Sequence, residues 1–259
     1  MVYVIMYAEL CWSKSDFLFL RAPSYIPRKD FIMAKFFKKL TIFTLCFSML
    51  FSLTACGTDV GKVYQRYIKS LIAINYMNAS EDYINASGAT KEEADNLYQA
   101  NAEYLADNII TYYGITITDA PELRDDYIEL AKLIYSKCNY TVSKAYKDGS
   151  VYLVDVTIYP MDLFAQTSDE VSAYVETFNQ GVIDGTYNDY TLSEYETEFS
   201  KGMVEILSNG CLNMTYCDPV TITVEIIVDG DTYYISDRDF LRIDAAMIAA
   251  SIPEPATQE

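Results

Sequence analysis

A chain of 259 residues with 37 Asp and Glu against 19 Lys and Arg, net charge −18 and no histidine, excludes several functions before any motif is read. Such an acidic balance does not suit a nucleic-acid binder, whose affinity comes from neutralising phosphates. Without an imidazole there is no Ser-His-Asp or Cys-His nucleophile, no His-ligated metal and no His general base, and no cofactor is implied.

Residues 1–32 fit no targeting pattern, and a start at Met33 explains the whole leader by itself, so 1–32 reads as an upstream segment outside the protein proper. Lys35, Lys38 and Lys39 follow Met33, and Leu40 to Leu53 carry no charge. That is the basic start and apolar stretch of a signal peptide, shorter than the roughly 20 apolar residues of a membrane span. The exit Leu53-Thr54-Ala55-Cys56-Gly57 resembles the lipobox of bacterial lipoproteins. It implies a leader over 33–55 and lipidation of Cys56, whose thiolate is the nucleophile that becomes a diacylglyceryl thioether. Two acyl chains hold a protein on a membrane where one does not. The expected location is the extracytoplasmic face of the cell membrane.

Residues 1–55 hold seven of the Lys and Arg and three of the Asp and Glu, leaving 12 basic against 34 acidic residues. That balance argues against a surface pressed flat on anionic lipid and leaves the anchoring to the acyl group. Three cysteines follow Cys56: Cys138, Cys211 and Cys217. An odd number is no disulfide framework; Cys211 and Cys217 either close a short loop or are small buried thiols.

Residues 56–62 read as a tether and 63–250 as one domain. From Val63, Tyr64, Tyr67, Ile68, Leu71 and Ile72 recur at the spacing of an amphipathic helix, which the stretch Asn85 to Gly88 stops. Thr90 with Glu93 is a capping box for a second helix, striped by Tyr98, Ala102, Leu105 and Ile109 and ended by Gly114. Pro121 starts a third, with Leu123, Tyr127, Leu130 and Ile134.

At Asn139 the period becomes two. Tyr140 to Ala145, a turn at Asp148-Gly149, and Val151 to Tyr159 predict a hairpin, with Val154, Val156 and Ile158 on its buried face. Helical spacing returns at Val171, Tyr174, Val175 and Phe178, and again over Leu192 to Ile206. A second hairpin follows, with Val220, Ile222, Val224 and Ile226 inward and a turn at Asp229-Gly230. After it comes one more short strand or turn, then a frayed tail over 251–259. The order predicts an α+β fold, helices packed on a curved antiparallel sheet built from two hairpins.

The lipobox, the helix "VYQRYIKSLIAINYMN", the hairpin "YTVSKAYKDGSVYLVDVTIYPMDL" and the later helix and hairpin resemble an uncharacterised family of Gram-positive surface lipoproteins. That domain is similar in plan to the nuclear-transport-factor-2-like or cystatin-like folds. The resemblance implies no catalytic residues.

Acidic pairs occur at Glu81-Asp82, Asp125-Asp126, Glu194 with Glu196 and Glu198, Asp229 with Asp231, and Asp237 with Asp239. Two carboxylates hydrolyse a glycosidic bond when held about 5 to 9 Å apart, but these lie on polar helix faces or turns and read as solvated surface. Of 24 tyrosines most fall on apolar helix stripes and read as core. Tyr112, Tyr113, Tyr187, Tyr190, Tyr233 and Tyr234 lie off the stripes and are the candidates for a ligand surface. The expected function is a lipid-anchored module that binds or assembles with a protein, peptide or glycan without catalysis. The alternative is a carboxylate-dependent hydrolase of cell-wall glycan.

Overall fold

The computed structural model describes residues 49–50, 59–230 and 232–249; Cys56, residues 1–48 and the tail beyond Ala249 lie outside the described residues. Helix α1 (Val60–Met77) ends where Asn78 turns left-handed at φ 54°, and the Ala79 N–H closes the turn on the Ala73 carbonyl at 3.2 Å. Asparagine is one of the few side chains that accept this conformation. The helix expected to run on to Asn85 is therefore two, with α2 at Ser80–Ser87. Helix α3 (Lys91–Tyr112) carries the expected capping box, Glu93 N–H donating to Thr90 Oγ1 at 3.2 Å and Thr90 N–H to Glu93 Oε2 at 2.8 Å. Helix α4 (Leu123–Tyr135) packs on α3.

Among the described residues six strands make one antiparallel sheet: β1 (Met49–Leu50), β2 (Asn139–Val142), β3 (Tyr146–Asp148), β4 (Val151–Tyr159), β5 (Val220–Asp229) and β6 (Thr232–Tyr234). The order is β1-β6-β5-β4-β2, with β3 also on β4. Pairing of β4 with β5, from Tyr152 opposite Ile226 to Ile158 opposite Val220, joins the two predicted hairpins. Val154, Val156, Ile158, Ile222, Val224 and Ile226 are buried as expected. Val220, the first residue of β5, is instead 45% exposed, beyond the cover of the helices.

The inner face packs against α1, and one core joins the sheet to α3, α4 and the long helices α5 (Leu163–Ile183) and α6 (Leu192–Gly210). Leu105 and Leu130 belong to that core. Phe178 is buried apart from it, against Tyr174, Tyr187, Tyr195 and Phe199 of α5, α6 and their connection.

The segment expected to be a strand or turn is a helix, α7 (Asp237–Met247), capped by Ser236, whose Oγ accepts from Asp239 N–H at 3.1 Å. Because β6 covers only the end of β5, the remaining edge of β5 would lie open. Helix α7 closes it: Arg242 donates to the Thr223 carbonyl at 3.3 Å, and Glu225 N–H donates to Asp239 at 3.5 Å. An edge satisfied this way cannot recruit a foreign strand.

Candidate functional site

The six off-stripe tyrosines do not converge. Tyr112, 49% exposed, stacks on Phe164 at 4.7 Å, and Tyr113 meets the same ring edge-on from a more buried position. Tyr187 and Tyr190 sit 5.2 Å apart at the α5–α6 connection, with Tyr187 against Phe178 and Tyr195. Tyr233 is a core residue, 3% exposed, held between Tyr64 and Tyr67, and Tyr234 is its half-buried neighbour on β6. A single tyrosine-lined ligand surface is not what these residues form. Beside Tyr187 and Tyr190, Val182, Ile183 and Leu192 are exposed.

Most of the acidic pairs are solvated, as expected: Glu81, Asp82, Asp125, Asp126, Glu198, Asp229 and Asp237 are exposed, while Asp231 lies outside the described residues. Glu194 caps α6 through Thr191. Glu196 departs from the expectation. It is buried, and its Oε2 accepts from Asp119 N–H at 2.8 Å and Ala120 N–H at 3.0 Å, pinning the approach to α4 onto α6. Its Oε2 is committed to backbone.

The acid that sequence reading did not single out is Asp244 on α7. Tyr76 donates its hydroxyl to Asp244 Oδ1 at 2.8 Å, and the rings of Tyr135 and Phe240 stack with the Tyr76 ring at 5.5 and 6.2 Å. Asp244 keeps some solvent contact, yet burial pushes its carboxyl up to about 6, with the Tyr76 hydrogen bond opposing. Desolvation and the nearby Asp244 charge in turn hold the Tyr76 and Tyr135 phenols and the Cys138 thiol well above their ordinary ranges. A thiol so raised is no nucleophile. Cys138, Cys211 and Cys217 are all free, so the loop between the last two is not closed by a disulfide. Among the described residues no group of His, Cys, Asp and Glu is arranged to hold a metal ion.

The start of the described domain is the other concentration of chemistry. Asp59 stands three residues after Cys56 and ion-pairs with Lys144 at 2.6 Å. Ala145 N–H donates to the Gly61 carbonyl at 3.1 Å in the bend between β2 and β3, and a side chain at Gly61 would meet the Ala145 oxygen at 2.6 Å. The first turn of α1 is thus stitched to the end of the sheet where both hairpins turn. Tyr64 of α1 lies edge-on to Tyr152 and Tyr233 at 5.1 and 5.0 Å, and Lys147 Nζ sits over the Tyr152 ring at 5.9 Å. The Tyr233 phenol is raised to about 12 by burial and Tyr64, with Arg66 opposing. Lys62, Arg66 and Lys69 follow one another along the exposed face of α1, which carries no acid.

In fold the chain is similar to a candidate lipoprotein, YcdA, of Bacillus subtilis. The match has a TM-score of 0.50 at 15% identity, over 71% of this chain and 55% of that one. This chain therefore spans little more than half of that protein. No family model matches the sequence, and no curated protein matches it either. No helix among the described residues is long and apolar enough to cross a membrane.

Proposed function

We propose that this is a lipid-anchored protein of the outer face of the cell membrane, held by an acylated Cys56, whose α+β domain binds or assembles with a partner without catalysis. The observation that carries the reading is the join between leader and domain: the basic, apolar and small-small-Cys order of Met33 to Cys56 is followed by only Gly57 and Thr58 before Asp59 is fixed to Lys144. The fold shared with a candidate lipoprotein agrees with it. The finer likeness to nuclear-transport-factor-2-like or cystatin-like domains rests on the helix laid across the inner face of a curved sheet.

A wall-glycan hydrolase needs two carboxylates facing one bond, one of them raised by burial. Asp244 is raised, but the groups coupled to it are phenols and a thiol, and Glu196 is committed to two backbone amides. The exposed Val182, Ile183, Tyr190 and Leu192 favour assembly with a protein partner over catalysis. The test is Cys56→Ser: the variant should leave the membrane fraction and lose labelling by a fatty-acid analogue, and unchanged labelling would overturn the reading.

A further inference from the structure

We infer that the exposed face of α1 bearing Lys62, Arg66 and Lys69, with Lys147 beside it, is the surface that rests on anionic lipid headgroups when the chain is held by Cys56. The inference rests on the anchoring reading and says how the anchored domain lies.

Net charge alone argued against any such contact. The fold changes that conclusion by sorting the charges. Of 12 Lys and Arg from Cys56 onward, Lys62, Arg66, Lys69, Lys144 and Lys147 all belong to α1 and the bend and strand beside its start. Spacings of four and three residues put Lys62, Arg66 and Lys69 on one face of the helix, and all three are exposed. Among the described residues the acids at this end are Asp59, paired with Lys144, and Asp148 and Asp229, at the ends of the strands entering the two hairpin turns, while Asp231 of the second turn lies outside the described residues.

Position supplies the second argument. Three residues of extended chain reach at most about 11 Å, so a domain beginning at Asp59 cannot stand off from a bilayer that holds Cys56. What remains open is its tilt. Lys69 is about 10 Å further along the helix axis than Lys62, so all three cations reach the headgroups only if α1 lies over toward the membrane plane. Each cation drawn to an anionic surface strengthens the attraction about fivefold.

The test uses the protein purified from membranes and reconstituted in phosphatidylcholine vesicles, with and without about 30 mol% phosphatidylglycerol. A membrane-impermeant amine reagent labels the exposed lysines, and mass spectrometry reads each site, with Lys201 on α6 as internal reference. In anionic vesicles Lys62 and Lys69 should both react at least about fivefold more slowly relative to Lys201, and about 0.5 M salt should abolish the difference. Arg66→Glu, an exposed change of the kind expected to leave stability nearly unchanged, should abolish it too. Equal reactivity in both vesicles, or protection of Lys62 without Lys69, overturns the inference while an acylated N-terminal peptide leaves the anchor standing. An unacylated N-terminus overturns both.

Discussion

Tyr76 donates its hydroxyl to Asp244 at 2.8 Å, joining the last turn of α1 to α7. Around this bond the rings of Tyr135 and Phe240 exclude water, and the carboxyl titrates near 6. Because the folded-state pKa lies above the ordinary 3.8, the folded chain binds this proton more tightly than the unfolded chain. The contribution is full below about pH 4 and is lost as pH rises through about 6, at a cost of the order of 1 to 3 kcal/mol. Asp244→Asn keeps an acceptor for Tyr76 and removes the charge. The difference in thermal midpoint between the variant and the natural chain should therefore shift in favour of the variant between pH 4.5 and 7.5. A difference that does not change with pH would mean that Asp244 is solvated.

Glu196 is expected to be structural. Glu196→Ala leaves the Asp119 and Ala120 amides without their acceptor and should cost about 2 kcal/mol by urea unfolding. Glu81→Ala, an exposed change on α2, should stay within about 0.5 kcal/mol.

The sheet provides a contrast at two valines. Val154→Asp places an unpaired charge in the shared core, which costs several kcal/mol against a total stability of about 5 to 15, and should abolish the cooperative transition. Val220→Asp, on the exposed first residue of β5, should leave it nearly unchanged. Circular dichroism on heating checks both.

Gly61 tests the stitch between α1 and the bend of the sheet. Its missing side chain admits the Ala145 oxygen, so Gly61→Ala should push the first turn of α1 away and cost about 1 to 3 kcal/mol. The Asp59 to Lys144 ion pair depends on that turn, and Lys144 should become more reactive toward amine reagents in the variant.

Much of the fold was legible because local signals agreed with the final packing. The alternation of Val154, Val156 and Ile158 with polar neighbours and the capping box at Thr90 both appear where expected. The break at Asn78 was not legible, because neither glycine nor proline marks it. Helix α7 was missed although Ser236 stands three residues before Asp239, and Phe240, Ile243 and Met247 then recur at helical spacing. Asp244 falls between those apolar positions and looks like one more surface acid. What encloses it comes from Tyr76 and Tyr135, more than 100 residues earlier. The same holds for the cations: the sequence shows three on α1, but only the bend between β2 and β3 brings Lys144 and Lys147 beside them.

The anchoring claim meets its most direct test in the mass of the N-terminal peptide of the protein taken from the membrane fraction. That chain should begin at Cys56 and carry a diacylglyceryl group on its sulfur, whether translation starts at Met1 or at Met33. A membrane-bound chain that still carries residues 33–55, with an unmodified Cys56 and Met49 and Leu50 left on the edge of β6, would contradict it.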